Sequence, residues 1–302
     1  MPHYRMPDGE QLFVREFGQG KPVLVLSGLG MQSWQWLPFL YPQARNNKFI
    51  IPDWRGFGGS HHCAIPQLDA ISSHWRDINS LTEQLQLDKF SVIAYSMGAT
   101  TAMHGMQYGH LSEKLDRYLH IDQTPKISVD ATWQYGLLSQ KQAQFKQLLA
   151  EISHLLACNA PARVLSDLNP TSRQHLLELW LAFIQLQANN KVTPLLFQLA
   201  LKRPKLQALI LPIQRLDYLA WYVNNYLHHN EDYRHAIAQL SCPSTFFIGE
   251  KSILYPSIGQ KIIANSVKNS KQIIFKKSGH MPLISEPIKF THEIAQFLKN
   301  SA

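Results

Sequence analysis

The stretch KFSVIAYSMGATTAMHG, residues 89–105, constrains the chain more than any other. Phe90, Val92 and Ile93 favour an extended backbone. Met97 to Met103 read as a helix with little bulk on its first turns. Ser96 therefore stands where a strand becomes a helix almost without a loop. Ala94 and Gly98 flank it two residues away on either side, and small side chains are what so sharp a turn demands. The match is to the strand–turn–helix pattern G-x-S-x-G, with Ala in place of the first Gly. Such a turn lifts the serine oxygen out at the end of a sheet. It also sets the Met97 amide at a helix N-terminus, which favours negative charge nearby. A serine in an ordinary strand–helix connection has the same letters, so the surroundings decide.

Those surroundings alternate. Leu12 to Phe17 can form a strand, PVLVLSGLG reads as a buried strand and a glycine turn, and KFIIPDWRGFGGS as a second buried strand and a glycine-rich loop. SWQWLPFLYPQA reads as the start of an amphipathic helix. LDAISSHWRDINSLTEQLQL places Ile71, Trp75, Ile78, Leu81 and Leu85 near the helical period. DRYLHIDQTPK, CPSTFFIGEKS and SKQIIFKKSGH supply three later strands, and SEPIKFTHEIAQFLKN a last helix. Strands alternating with helices predict a mostly parallel sheet covered on both faces, an α/β fold. Between about Lys126 and Gln239 no strand is evident. Apolar helical patterns take over: WQYGLLSQKQAQFKQLLAEISHLL, SRQHLLELWLAFIQLQ, TPLLFQLAL and RLDYLAWYVNNYL. The expected organisation is a core of residues 1–125 and 240–302 with an inserted helical cap at 126–239, over the sheet edge where open α/β sheets bind ligands.

Composition narrows the classes. The 302 residues are 45% hydrophobic and 17% charged, ample for a globular core. No apolar run of about eighteen residues marks a membrane span, and the N-terminal stretch has no apolar segment of signal-peptide length. Three distant cysteines, Cys63, Cys158 and Cys242, suit reduced thiols in a cytoplasm. The net charge of +8 comes from scattered lysines and arginines with a mild C-terminal concentration. It lacks the basic stripe with interleaved aromatics that nucleic acid calls for. His61–His62 and His228–His229 have no carboxylate or cysteine partner at ligand spacing, so no metal is expected, and nothing calls for a cofactor.

With LVLSGLG, PDWRGFGGS, AYSMG and SGHMPLISEP in this order and spacing, the chain resembles the α/β-hydrolases over essentially its full length. The resemblance implies that Ser96 is a nucleophile and His280 the base that takes its proton. It further implies an oxyanion hole made by the backbone N–H groups of Leu29 and Met97. Members often carry His-Gly where this chain has Ser27-Gly28; the hole uses main-chain donors, so the change bears on the packing beneath the loop. The resemblance implies an acyl-enzyme hydrolase, esterase-, thioesterase- or lactonase-like, acting on a partly hydrophobic small molecule. Two other readings stay open: a cofactor-independent dioxygenase of the same fold, where a histidine typically follows the serine instead of Met97, and a non-catalytic ligand-binding protein.

The triad acid is the departure. Most of the family places it after a late strand, in a pattern like G-x-x-D. Here STFFIGEKS puts Gly249 at the glycine and Ser252 at the acid, and serine cannot supply the charge. Asp122, ending the strand after the Ser96 strand, is one candidate, as in some members that place the acid there. Glu250 is the alternative, although strand neighbours point to opposite sides and it lies two residues short. Asp53 is expected to hold its loop through backbone hydrogen bonds, Arg55 to pair with it or face a substrate, and His120 to be a core histidine. Trp34 and Trp36 either line the pocket or anchor a helix. Among Trp133, Trp180, Phe183, Trp221 and Tyr222, most belong to the core and a few wall the acyl site.

Overall fold

The structure, a computed structural model, describes residues 2–188 and 213–299. Eight strands form one sheet: β1 (His3–Arg5), β2 (Gln11–Gly18), β3 (Lys21–Leu26), β4 (Asn47–Pro52), β5 (Phe90–Tyr95), β6 (Leu115–Ile121), β7 (Ser244–Gly249) and β8 (Ser270–Phe275). Their order is β1-β2-β4-β3-β5-β6-β7-β8. β2 runs antiparallel to β1 and β4, and every other pairing is parallel. The central strands are apolar at successive positions because both faces are covered. Leu24, Leu26, Ile50, Val92 and Ala94 enter one core. Their strand neighbours Val23, Val25, Phe49, Ile51, Ile93 and Tyr95 enter the other, as the period of two requires.

The longer helices are α1 (Ala70–Gln84), α2 (Met97–Tyr108), α3 (Gln142–Cys158), α4 (Pro170–Gln187), α5 (Leu216–His228), α6 (Ser257–Ser266) and α7 (Pro287–Lys299). Asp69 caps α1 by accepting from the Ser72 amide at 3.0 Å, a contact worth about 1 kcal/mol. Ile71, Ile78 and Leu81 of α1 are buried; truncating one such side chain to alanine costs about 2–5 kcal/mol. Trp75 lies against Gly105 of α2, where a Cβ would overlap the indole. That glycine sets how closely the two helices approach.

Several elements differ from expectation. Residues 33–43 are not one helix but a 3-10 turn, a single α turn (Leu37–Leu40) and another 3-10 turn. Pro38 and Pro42 each open a new turn and deny the preceding one its hydrogen bond. The helix expected from Trp133 starts only at Gln142, because Leu138 and Ser139 take positive φ values of 60° and 45°. β1 escaped the sequence reading, as did α6. TPLLFQLAL lies outside the described residues. Between β6 and β7 the described chain adds no strand to the sheet, and a bridge between Lys126 and Asp232 ties the two ends of this segment. No helix among the described residues is long and apolar enough to cross a membrane.

Candidate active site

Register brings the site together. Tyr95 of β5 pairs with Ile121 of β6, and Ile121 with Phe247 of β7. Ser96 and Asp122 each follow their strand by one residue, so they stand level at the same sheet edge. Both continue the ladder: the Ser96 amide donates to Ile121 O and the Asp122 amide to Phe247 O, each at 3.0 Å. Both then leave the extended region. Ser96 has φ 51° and ψ −121°, and Asp122 has φ 42°. For a non-glycine residue this is backbone strain of about 1–3 kcal/mol. Neighbouring packing enforces it at Ser96: a Cβ on Gly98 would overlap the Leu26 carbonyl, so only glycine lets α2 start this close to β3.

His280 arrives on the loop between β8 and α7. Its Nε2 lies 3.0 Å from Ser96 Oγ and its Nδ1 2.7 Å from Asp122 Oδ2. A neutral imidazole with its proton on Nδ1 satisfies both contacts: the ring donates to the carboxylate and accepts from the serine hydroxyl. The ring stacks on Tyr95 with centroids 5.2 Å apart and meets the edge of Tyr255 at 5.4 Å. The Tyr95 hydroxyl donates to His280 O at 3.0 Å. Burial, the largest influence on each, holds both phenols well above their usual titration range, so they stay protonated.

Asp122 is fully buried. Besides His280, its Oδ2 accepts from Ser252 Oγ at 2.8 Å. Its Oδ1 accepts from Gln260 Nε2 at 2.9 Å and from the Gly249 amide at 3.1 Å. Ser252, at the position where most of the family carries the acid, thus touches the carboxylate as a donor. Glu250 is exposed and lies 3.9 Å from Lys261, away from the imidazole that Asp122 meets. Sequence reasoning missed Gln260 altogether. A signal existed, since Gln260 shares a helical face with Ile263 and Ala264, and a polar residue on an apolar stripe asks for a partner.

The loop after β3 lies against the nucleophile: a Cβ on Gly28 would come 3.3 Å from Ser96 Cβ and 3.0 Å from the Tyr95 ring. Leu29 follows it. Met97 opens α2, where a helical amide has no carbonyl four residues back. Two indoles secure the Ser27-Gly28 variation. Trp36 Nε1 donates to Ser27 Oγ at 3.0 Å and Trp54 Nε1 to Ser27 O at 2.8 Å. Trp36 is fully buried as an anchor, whereas Trp34 is 54% exposed.

Other singled-out residues have structural partners. Asp53 accepts from the amides of Ser33 at 2.6 Å and Gly59 at 2.9 Å, which holds its loop. Arg55 pairs not with Asp53 but with Asp77 and Asp8, through contacts of 2.6 to 3.0 Å. His120 is a core histidine: burial pulls its titration down to about 4, against the opposing hydrogen bond to Gln123 O and the Asp122 charge. His61 and His62 lie ring to ring, and among the described residues no group of three or more metal-ligating side chains assembles. Trp133 Nε1 donates to Thr124 Oγ1, Trp221 Nε1 to Leu68 O and the Tyr222 hydroxyl to Arg55 O. The last two tie the segment between β6 and β7 onto the rest of the chain, and the first is internal to it. Trp180 and Phe183 pack together within α4.

Known proteins share this fold. The model of the α/β hydrolase fold family matches residues 21–287. The chain is 23% identical over 289 residues to the pimeloyl-[acyl-carrier protein] methyl ester esterase of Legionella pneumophila (strain Corby), covering 94% of this chain and 98% of that protein. It is 25% identical over 302 residues to the AB hydrolase superfamily protein YisY of Bacillus subtilis (strain 168), covering 98% and 99%. Among solved structures, an esterase from Exiguobacterium antarcticum superposes with a TM-score of 0.70 at 18% identity, over 99% of both chains. The matched segment takes in the turn at Ser96, the carboxylate after β6 and the histidine loop, and the chain belongs to the α/β hydrolase fold family.

Proposed function

We propose that this α/β-hydrolase cleaves a carboxylic ester or related acyl bond of a partly hydrophobic small molecule through an acyl-enzyme on Ser96. The observation that carries the reading is the unbroken hydrogen-bond chain from Ser96 Oγ through His280 to Asp122, at 3.0 and 2.7 Å. Ester hydrolysis is favoured among the acyl bonds because two of the three proteins named above, those of Legionella pneumophila and Exiguobacterium antarcticum, are esterases.

The mechanism follows from the atoms. A serine hydroxyl is a poor nucleophile at neutral pH, and His280 Nε2 takes its proton as Ser96 Oγ attacks the carbonyl carbon. Asp122 keeps the second ring proton on Nδ1 and stabilises the imidazolium that forms. The negative charge on the carbonyl oxygen is taken up by the N–H groups of Leu29 and Met97, at the N-terminus of α2. Collapse of the tetrahedral intermediate expels the alcohol, which receives its proton from His280. Water, deprotonated by the same nitrogen, then releases the acid and restores Ser96. In this reading residues 126–239 are a helical cap that walls the acyl site, supported by the helices between β6 and β7. The free thiols of Cys63, Cys158 and Cys242 fit a reducing compartment.

Two rivals have less support. Met97 stands where the dioxygenase reading wants a histidine. A non-catalytic protein has no need of a strained serine aimed at an imidazole. The test is hydrolysis of short- and long-chain p-nitrophenyl esters and acyl-CoAs by wild type and Ser96→Ala. Hydrolysis by the wild type alone is expected; equal rates in both proteins would put the chemistry elsewhere.

A further inference from the structure

Asp122 has lost its water, and a buried carboxylate is costly unless hydrogen bonds replace that water. Each oxygen receives two donors: Oδ2 those of His280 and Ser252, Oδ1 those of Gln260 and Gly249. The carboxylate cannot turn about its bond to Cβ without breaking several of them. The two side-chain donors are themselves aimed. Ser252 Oγ accepts from the Tyr255 amide at 3.3 Å, which directs its own proton toward Asp122. Gln260 Nε2 places its second proton on Tyr255 O at 2.8 Å, which fixes the amide plane.

Gln260 stands at a cost. Its Oε1 is buried without a partner among the described residues, an omission worth about 1–3 kcal/mol. An apolar side chain beside Ile263 and Ala264 avoids that loss. Turning the amide over would set its oxygen against the carboxylate. What the glutamine supplies, and a methionine of similar length does not, is the pair of N–H donors.

We propose that Ser252 and Gln260 are positioning residues that clamp the Asp122 carboxylate in the orientation His280 requires. The loop and helix after β7 supply no acid, and instead complete the triad from behind the acid of the neighbouring strand. The inference rests on the reading of Ser96 as the nucleophile.

The test is steady-state hydrolysis of a p-nitrophenyl ester across pH by the full chain carrying Ser252→Ala, Ser252→Thr or Gln260→Met. Donors to a carboxylate stabilise its charged form. Removing one makes the charged carboxylate lean more on the His280 Nδ1 proton, so the acidic limb of kcat/KM moves upward. We expect kcat to fall about 10- to 100-fold in Ser252→Ala and Gln260→Met with KM within about twofold. Ser252→Thr, which retains the hydroxyl, restores most of the loss. Adding Ser252→Ala to Asp122→Asn costs little more, because both act through one group. An unmoved acidic limb, or losses that multiply independently of Asp122, overturns the proposal, as does lost activity explained by unfolding alone. Fluorophosphonate labelling of wild-type Ser96 separates the two levels. Labelled wild type with pH-insensitive variants rejects only the clamp, whereas unlabelled wild type removes the nucleophile and the clamp together.

Discussion

Two buried carboxylate centres in this molecule are built on opposite principles. Around Arg55, Asp77 and Asp8 meet a guanidinium that is fully buried and always charged. Burial acts to lower the Arg55 titration, and the hydrogen bonds of Asp77 and Asp8 outweigh it and push it up. Around Asp122 no guanidinium or ammonium contact is made among the described residues; neutral donors and one imidazole surround the charge. The first centre locks a charge for good and serves packing between the β4 loop and α1. The second leaves its charge facing an imidazole, the side chain suited to proton transfer. Burial of a carboxylate alone therefore does not mark a reactive site; the kind of partner does.

The sharpest way to break this comparison is at Asp122. We expect Asp122→Asn to lower turnover by about 10⁴-fold with the fold retained, since the amide leaves the imidazole without its countercharge. Near-normal turnover in that variant would reject the assignment. Asp77→Asn should act in the opposite register. Breaking one side of a buried ion pair costs about 3–5 kcal/mol, read as a lower urea midpoint, while kcat per folded molecule stays within about twofold.

A smaller effect separates the centres by pH. Burial acts to raise the Asp8 carboxyl, but the hydrogen bonds and charge of Arg55 prevail and hold it below its usual 3.8. Its contribution to stability is therefore complete above that value and is lost as pH falls through the lowered one. Asp8→Asn should lower stability at neutral pH and leave it unchanged at the acid end, so that the variant and wild-type curves converge as pH falls, as thermal unfolding at stepped pH would reveal. Smallest of all is Glu250→Gln. This third carboxylate is exposed and screened, and its substitution is expected to leave kcat and KM within about twofold. A loss comparable to that of Asp122→Asn would return the acid role to Glu250.

Much of the frame was legible because short-range rules govern it. Buried strands without polar alternation announced a parallel sheet, and the small residues around Ser96 announced the turn that the Leu26 carbonyl enforces. The elements that escaped are those whose local signals are weak or contested. β1 is three residues long, and the breaks at Pro38, Pro42, Leu138 and Ser139 override apolar periodicity with backbone constraints. α6 went unread, and with it Gln260.

By itself the sequence determined the strand–helix alternation, the tight turn at Ser96, and a serine at position 252 where a carboxylate was anticipated. It favoured Asp122 and kept Glu250 as the alternative, because both follow neighbouring strands and both are acids. Only the tertiary structure decided which of them sits within reach of His280. The alignment of Tyr95 with Ile121 and of Ile121 with Phe247 carries Asp122 to the level of Ser96. Four donors gathered from β7, its loop, α6 and the histidine loop then replace the carboxylate's water. Those donors lie up to 158 residues away along the chain. A hydrogen bond depends on separation in space over about 3 Å, which no local reading of residue types can supply.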